Sequence, residues 1–450
     1  MGNLNCVDNL LKKLFRGLGR AIGRNPGYFV IIPVLLTALC ASGFQRIKFE
    51  ADPEYLFSPL DGEAKTERAI LEKHFPTNYS QFDPVRSSKG GRFGRLIITA
   101  ADGGSLLRTK VWREINFLDD IVRTISIEWE GQQLSYKNLC AINLEGYCWN
   151  NEILGLGAYI DRVEKKKINL TYPLWIGTDT FTPFTFPMFL GGFNLSDTNI
   201  IDSVEAISLF YFLDTTDEWM VERGAAWEAS FLATVAAQQL PEISIYRFTS
   251  LTLEMELEDN TNSVIPYFSL NIGIMVIFCI VTCMMTDWVK SKPLLGLLGV
   301  ISAILGSISA FGLVMYLGMD FIGINLAAPF LMLGIGIDDT FVMLAAWRRT
   351  SVHDSVPERM AHCYSDAAVS ISITSITDML SFWIGVITPF PCVQIFCVYT
   401  GACVVFTYIW HITFFGGCLA IAGYAEKQNR HAITCCVVMP KSQAGYNFFL

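Results

Sequence analysis

The sequence has few charged residues and no surplus of positive charge. Only 17% of its 450 residues are charged, and 33 Lys and Arg stand against 42 Asp and Glu, for a net charge of −9. Nucleic acids are bound through dense basic surfaces, so this balance excludes a nucleic-acid partner. The 13 cysteines follow neither a C-x-x-C nor a Cys/His ligand spacing, which argues against a zinc site or a dense disulfide scaffold.

Sequence signatures of enzymes are also missing. The chain contains no nucleophile elbow, no P-loop and no His-Glu-x-x-His pattern, so we expect no enzymatic activity, no catalytic residue and no metal or resident cofactor. Hydrophobic residues make up 52% of the chain and include 32 Phe. This composition is too apolar for a disordered chain, and it predicts a membrane protein.

Six apolar runs are long enough to cross the hydrocarbon core of a bilayer. They are Tyr28–Phe44, Pro266–Met285, Leu294–Leu317, Phe321–Ala346, Ala367–Pro389 and Gln394–Tyr424. The pattern predicts a polytopic α-helical membrane protein with six spans. We divide it into an N-terminus (1–27), a first transmembrane helix (28–44), a large domain (45–265), five further helices (266–424) and a tail (425–450).

The basic residues outside the large domain set the orientation. There are 13, namely Lys12, Lys13, Arg16, Arg20, Arg24, Lys290, Lys292, Arg348, Arg349, Arg359, Lys427, Arg430 and Lys441. If the N-terminus is cytosolic, all of them lie on the cytosolic side, as the positive-inside rule requires. Both termini are then expected in the cytosol and the large domain outside it.

Two further features agree with an extracytoplasmic domain at 45–265. The three N-x-[ST] glycosylation sequons, at Asn78, Asn169 and Asn194, all lie within it. Its only cysteines are Cys140 and Cys148. In an oxidising compartment they can form a disulfide, and the alternative is two unpaired thiols.

The large domain has the pattern of an α+β fold. Strands are expected at Leu96–Ala100, Val204–Leu213 and Ile243–Leu257, and helices at Leu106–Ile125 and Glu218–Gln238. Strand and helix alternate, which predicts a ferredoxin-like domain. The segment Tyr172–Asn199, rich in Gly, Pro, Thr and aromatic residues, is expected to be a long loop.

Three acids lie deep inside the predicted spans: Asp338 and Asp339 in the fourth and Asp378 in the fifth. A carboxylate at the bilayer centre costs about 2.5–3.5 kcal/mol, so such residues usually serve a function. Adjacent residues on a helix point about 100° apart, so one of the pair should face the bundle centre and the other a neighbouring helix. We predict an ion-coupling site at these three acids. The alternative is a structural pair that only locks helices together.

Small and polar residues surround the acids in the sequence. Gly334, one turn before Asp338, would let another backbone approach and shape a hydrated pocket. A polar stripe on the fifth span consists of Ser370, Thr374, Thr377, Asp378 and Ser381. We expect the stripe to pack near Asp338 and Asp339, where desolvation and like charge favour protonation or a bound cation. His411 in the sixth span could relay a proton or only donate a structural hydrogen bond.

These motifs resemble a known family. The run Gly334-Ile-Gly-Ile-Asp338-Asp339 resembles the G-x-x-x-D-D signature of Patched proteins. Ser375-Ile-Thr377-Asp378 resembles the fifth span of the same family, and Asp52-Pro53 with Leu56-Phe57-Ser58-Pro59 resembles the start of its first outer domain. The resemblance is strongest to the patched-related, or Patched domain-containing, branch and covers nearly the whole chain.

The resemblance implies the resistance-nodulation-division architecture, with 266–424 as a five-helix sterol-sensing domain. Such proteins move or sense sterols and other lipids, with a proton or monovalent cation bound at the acids. They are associated with plasma and endocytic membranes and, in moulting animals, with cuticle formation. Family members have twelve spans in two halves, so we expect that this chain pairs with a second half or another subunit, or that it is a short isoform or an incomplete gene model. If the chain acts without a second half, the alternative function is a sterol-sensing receptor or a trafficking scaffold.

Overall fold

The computed structural model describes residues 2–87, 91–179, 181–284 and 291–431, with side chains of the first helix from Asn9 onward. The predicted tail at 425–450 therefore lies mostly outside the described residues. The chain divides into a helical unit, Met1–Asp61 with Glu256–Leu450, and an α+β domain, Gly62–Met255.

Helices account for most of the chain. In chain order they are α1 Gly2–Arg24, α2 Pro26–Ala41, α3 Pro53–Phe57, α4 Glu63–His74, α5 Thr109–Thr124, α6 Tyr136–Leu139, α7 Gly157–Glu164, α8 Glu218–Ala236, α9 Thr252–Cys283, α10 Pro293–Tyr316, α11 Ala328–Arg349, α12 Val356–Gly385, α13 Pro391–Trp410 and α14 Gly416–Lys427. Short 3₁₀ helices lie at Ser42–Arg46, Tyr79–Gln81, Pro84–Arg86, Glu152–Leu156 and Gly323–Ala327, and a π-helical turn at His411–Phe415 joins α13 to α14.

The strands all lie in the α+β domain. They are β1 Phe93–Ala100, β2 Ser126–Trp129, β3 Gln132–Ser135, β4 Leu174–Ile176, β5 Pro183–Thr185, β6 Leu190–Leu195, β7 Ile201–Phe212 and β8 Ile243–Thr249. The main sheet is antiparallel with strand order β6-β7-β1-β8. The element order β1-α5-β6-β7-α8-β8 is that of a ferredoxin-like fold, so this prediction is confirmed. Leu96 and Ile98 of β1 share its core with Trp112 of α5 and Phe231 of α8.

Two of the sequence predictions for this domain are wrong. The segment Tyr172–Asn199 is no single loop, because it holds β4, β5 and all of β6. Its aromatic residues build the core: Trp175 of β4 is paired with Phe184 of β5 in the register, and both are buried. The strand expected at Ile243–Leu257 ends at Thr249. Beyond it the alternating Leu and Glu residues are strong helix formers and continue directly into the next apolar run.

In the described residues, six helical segments are long and apolar enough to cross a membrane, which confirms the six-span fold. They are Pro26–Arg46, Thr252–Cys283, Pro293–Tyr316, Gly323–Arg349, Val356–Gly385 and Pro391–Lys427. The second begins 14 residues before the predicted Pro266, and the fifth begins at Val356 rather than Ala367. In both cases the helix begins with polar residues that precede the apolar run. Hydropathy detects only the apolar run.

A hydrogen-bonded triad joins three spans in the interior of the helical unit. Ser309 Oγ of α10 donates to Thr37 Oγ1 of α2 at 2.9 Å, and Trp410 Nε1 of α13 lies 3.1 Å from Thr37 Oγ1 and 3.0 Å from Ser309 Oγ. All three side chains are buried. Polar groups in a membrane interior must find partners within the protein, so this triad fixes α2 against α10 and α13.

At one end of the helical unit, Glu426 of α14 is the central acid of a buried network of ion pairs and hydrogen bonds. Its carboxylate lies 2.9 Å from Lys292 Nζ and 3.3 Å from Arg359 Nη1, and it accepts a hydrogen bond from Trp347 Nε1. Burial lowers the pKa of Lys292, and the nearby Glu426 carboxylate opposes that shift. The network ties the start of α10 to α11, α12 and α14, and losing Glu426 would leave two buried cations unpaired.

Two backbones approach closely where the 3₁₀ turn after α2 crosses α10. A Cβ added at Gly312 would lie 2.0 Å from the Cys40 carbonyl oxygen, and one added at Gly43 would lie 1.9 Å from the Gly312 oxygen. Neither obstacle is a side chain that could rotate away. The crossing therefore requires glycine on both sides.

We expect Gly312→Ala to lower the free energy of unfolding by about 1–3 kcal/mol, because one methyl group must push two backbones apart. The matched control is Gly273→Ala in α9, where an added Cβ meets nothing within 4 Å. Thermal unfolding of the detergent-solubilised chain measures both. Equal melting temperatures for the two variants would contradict the close crossing.

Glu228 of α8 is a buried acid that holds together the ends of two strands. Its carboxylate accepts hydrogen bonds from the backbone N–H of Phe93 at 2.9 Å, from that of Leu251 at 3.1 Å and from Ser250 Oγ at 2.8 Å. Burial raises the pKa of Glu228 to about 7, although these donors and Arg92 favour the charged form. The start of β1 and the residues after β8 thus meet at one titratable group.

Because the pKa of Glu228 is higher in the folded chain than in the unfolded one, its protonation favours folding. The stability of the α+β domain should fall by about 2–3 kcal/mol as pH rises from about 4.5 to about 7, and Glu228→Gln should remove this dependence. Hydrogen exchange of the β1 and β8 amides in the whole chain, corrected for intrinsic rates, measures it. Glu222→Gln, an exposed acid on the same helix, is the control and should leave the dependence intact.

Candidate ion and lipid site of the helical unit

The structure separates the two adjacent acids of α11. Asp339 points into the helical unit and is 4% exposed, whereas Asp338 is exposed. Asp378 of α12 is half-buried, and both Asp338 and Asp378 lie within electrostatic range of the Asp339 carboxyl group. The three predicted acids therefore lie near one another, but only Asp339 is in the protein interior.

Small residues let α10, α11 and α13 approach closely around Asp339. A Cβ added at Gly336 of α11 would lie 2.8 Å from Ala303 Cβ and 3.4 Å from Thr407 Cγ2. A Cβ added at Gly306 of α10 would lie 2.7 Å from Thr407 Oγ1. Asp339 follows Gly336 by one helical turn, so its carboxyl group enters the region where these three helices meet.

Several buried polar atoms in this region have no hydrogen-bond partner among the residues that the structure describes. They are Ser302 Oγ, Asp339 Oδ2, Thr407 Oγ1, His411 Nδ1 and His411 Nε2. Their side chains are at most 4% exposed. Buried polar groups are almost always satisfied, so a group of orphaned acceptors and donors is where water, a proton or an ion is expected. We call Ser302, Asp339, Thr407 and His411 the polar cluster.

His411 enters the cluster from a π-helical turn. The turn His411–Phe415 adds a residue to the helix, and the Tyr364 hydroxyl of α12 donates a hydrogen bond to the Ile412 carbonyl within it. The His411 ring stacks on Phe415 with centroids 4.5 Å apart and approaches the Asp339 backbone. Such turns are frequent at functional sites. The two predicted roles of His411, a proton relay and a structural hydrogen bond, both stay predictions.

Of two expectations about the surroundings of the acids, the one for Gly334 is wrong and the one for the polar stripe is met only by Asp378. A Cβ added at Gly334 would meet nothing within 4 Å, so no backbone approaches there. Of the predicted stripe, Asp378 lies within electrostatic range of Asp339, whereas Thr374, Thr377 and Ser381 are exposed. Their hydroxyls instead donate to carbonyls of their own helix. Backbone carbonyls satisfy a serine or threonine in a membrane helix without a polar neighbour, so these three hydroxyls need no partner on α11.

An apolar cavity of about 210 Å³ lies in the helical unit. Its walls come from the 3₁₀ turn after α2 and from α9, α10 and α11, and its lining residues include Phe44, Phe268, Ile304, Phe311 and Leu333. Ser307, which also lines it, is on α10 one turn after Ala303. The cavity can take an apolar group, such as part of a lipid.

The predicted modification sites of the α+β domain are at its surface. Asn78, Asn169 and Asn194 are exposed, and Asn194 donates a hydrogen bond to Ser203 Oγ across two strands. Cys140 and Cys148 form a disulfide with Cα atoms 5.5 Å apart. The disulfide closes a small loop that borders a cleft of about 720 Å³.

The helical unit matches a known family. Residues 269–421 match the sequence model of a family described as "Patched SSD". This segment is similar to a Patched sterol-sensing domain. The polar cluster and the apolar cavity both lie mainly within it.

Relatives support the same assignment. Patched-related protein 9 of Caenorhabditis elegans is 30% identical over 236 residues, which cover 52% of this chain and 27% of that protein. NPC intracellular cholesterol transporter 1 of Sus scrofa is 22% identical over 512 residues, which cover 99% of this chain and 38% of that protein. The resemblance to Patched-related proteins is thus confirmed, and the chain spans less than two fifths of the length of either relative.

Sequence reasoning missed Ser302, Thr407 and Tyr364. Hydroxyl residues are common in apolar runs, and their hydroxyls usually donate a hydrogen bond to a backbone carbonyl of the same helix. Nothing in the sequence therefore distinguished these three residues. The only available signal was the position of Gly336 and Gly306 in neighbouring spans, since paired small residues indicate a close helix crossing.

We expect Tyr364→Phe to lower the free energy of unfolding by about 0.5–1.5 kcal/mol and to speed hydrogen exchange at 411–415, because the Ile412 carbonyl loses its donor. Hydrogen-exchange mass spectrometry of the solubilised chain measures this. The control is Tyr408→Phe, whose hydroxyl pairs with the Ser372 side chain at 2.8 Å rather than with the backbone. Unchanged exchange at 411–415 in Tyr364→Phe would show that the π-turn does not depend on this bond.

Proposed function

We propose that the sterol-sensing domain binds a sterol or another membrane lipid and couples that binding to a proton or monovalent cation at Asp339. The observation that carries the proposal is the polar cluster, with its buried atoms that lack partners in the described residues. The name of the Sus scrofa relative, a cholesterol transporter, supports a sterol as cargo. No step of the proposal requires enzymatic chemistry.

The chemistry of the cluster favours a small cation. An ionised carboxylate in a low-dielectric interior is strongly destabilised unless a positive charge neutralises it. A proton shared between Asp339 and His411 would do so, and His411 is the residue type suited to transfer it. A bare monovalent cation would instead take Asp339 Oδ2, Ser302 Oγ and Thr407 Oγ1 as oxygen ligands. Either ion satisfies atoms that otherwise remain orphaned.

The apolar cavity is the proposed lipid contact. Leu333 of α11 and Ser307 of α10 line it, and both helices also carry the polar cluster. A lipid that spreads these helices would change the surroundings of Asp339, and ion binding would in turn change the cavity. A sterol-sensing receptor or trafficking scaffold would use the cavity alone, so the two functions differ in whether Asp339 matters.

The exposed acid of α11 indicates a partner for the helical unit. Asp338 lies on an exposed surface of α11, and Thr374, Thr377 and Ser381 of α12 are exposed as well. A carboxylate facing hydrocarbon costs about 2.5–3.5 kcal/mol, so we propose that this surface is covered by a second set of spans, either a second half or another subunit. Asp338 and Asp378 would then contribute to ion coupling across that interface.

The orientation and location are also proposals. The one-sided Lys and Arg support a cytosolic N-terminus and an α+β domain outside the cytosol, which would allow glycosylation of Asn78, Asn169 and Asn194. Plasma and endocytic membranes, and a role in moulting, follow from the Patched-related resemblance. The disulfide between Cys140 and Cys148 fits an oxidising compartment.

We expect Asp339→Asn to abolish ion dependence while the chain still folds, because the amide keeps the shape of the side chain and removes its charge. The measurement is the melting temperature of the solubilised chain across pH and sodium concentration, together with ion-dependent sterol efflux from cells. A coupling of ordinary size predicts an efflux loss of about fivefold or more. Asp338→Asn, the adjacent exposed acid, is the matched control and should lose less.

Three outcomes separate the possibilities. A melting temperature that depends on pH but not on sodium identifies the proton. Wild-type ion dependence in Asp339→Asn would overturn the coupling site. Sterol binding that is the same in the wild-type chain and in Asp339→Asn, with no ion dependence and no efflux in either protein, would favour the sensing receptor or scaffold.

A further inference from the structure

The first helix, α1, is amphipathic and adjoins the first span. It ends at Arg24, two residues before α2 begins at Pro26. One side of α1 is buried: Phe15 and Ile22 belong to a core cluster with residues of α12 and the π-turn. Because α2 starts at the membrane boundary, the C-terminal end of α1 lies at the bilayer surface.

The opposite side of α1 carries an exposed apolar strip. At about 100° per residue, Leu10, Leu14, Gly17 and Ala21 fall within one narrow sector of the helix. All four are exposed, and the side chains of Leu10 and Leu14 are 66% and 61% exposed. No function assigned above uses this strip.

Basic residues flank the strip on one side. Lys13, Arg16 and Arg24 are exposed and lie between the apolar strip and the buried side of α1. Arg20 lies in the same sector, but its guanidinium forms a salt bridge with Glu358 of α12 at 2.9 Å. From Asn9 to Arg24 the sequence contains five basic residues and no acid. The helix thus presents neighbouring apolar and cationic surfaces.

We propose that the outer face of α1 binds anionic phospholipids at the bilayer surface. Leu10 and Leu14 would insert among the upper acyl chains, and Lys13, Arg16 and Arg24 would contact headgroup phosphates and carboxylates. This order of surfaces, apolar beside basic on a helix at a membrane boundary, is that of interfacial helices attracted to anionic lipids. A free phosphate would contact only the basic residues and leave the leucines in water, and an acidic protein would leave the leucines without an apolar partner. An anionic lipid contacts the basic and the apolar surface at once.

The test measures which lipids the whole chain retains. The solubilised chain is mixed with equimolar phosphatidylserine and phosphatidylcholine, and native mass spectrometry counts the lipids bound. We expect a preference for phosphatidylserine of about tenfold or more at low salt, since each basic residue near an anionic surface contributes several-fold. The preference should fall at high salt, because exposed charges are screened.

The triple variant K13Q/R16Q/R24Q should lower this preference to near one, whereas K13R/R16K/R24K, which keeps the charges, should retain it. The control K110Q/K166Q/K167Q removes the same charge from exposed lysines of the α+β domain and should also retain it. Equal binding of the two lipids by the wild-type chain would overturn the proposal. So would an unchanged preference in the triple Gln variant, or full competition by soluble glycerophosphoserine, which would indicate an anion site rather than a lipid surface.

Discussion

The absence of water in a bilayer core is the constraint on which the helical unit depends. Every polar group inside the spans must be satisfied by the protein, by a bound ion or by trapped water. Thr37, Ser309 and Trp410 meet that demand among themselves and thereby hold three spans together. The polar cluster around Asp339 does not meet it within the described residues. The triad of Thr37, Ser309 and Trp410 thus stabilises the fold. The polar cluster, a few helical turns away, has polar atoms that a bound ion or water would satisfy.

The separation of Asp338 from Asp339 follows from helix geometry and divides the acids between two environments. Asp339 shares the interior with a histidine from another span, and Asp338 lies on the outer surface of the unit. Two neighbouring carboxylates therefore need not act as one pair. In the proposed function the inner acid binds the ion, and the outer acid belongs to an interface with further spans. A family motif of two adjacent acids is thus compatible with two different physical roles.

The sequence predicts those features that follow from its composition and from the spacing of its apolar residues. Six spans, the ferredoxin-like order of elements and the unusual acids all stand out because apolar length, alternation and buried charge are local signals. The sequence does not reveal which helices touch, so it could not select Ser302 and Thr407 from many similar hydroxyls or show that Gly334 faces open space. The π-turn at His411 depends on a donor from α12, 47 residues earlier in the chain. The sequence did not predict strands β4 and β5, because the composition of this segment is typical of a loop. Their structure depends instead on the packing of buried aromatic residues.

The packing of α1 has a practical consequence for producing this protein. A Cβ added at Gly19 would lie 2.9 Å from Tyr364 Cβ, so α1 rests on the same tyrosine that holds the π-turn of His411. Residues before a first span are often trimmed to improve expression, or joined directly to a tag. Here such trimming would remove one wall from around Tyr364, and a preparation that still folds would lack part of the packing that supports the π-turn of His411. Tags and labels therefore belong elsewhere on the chain.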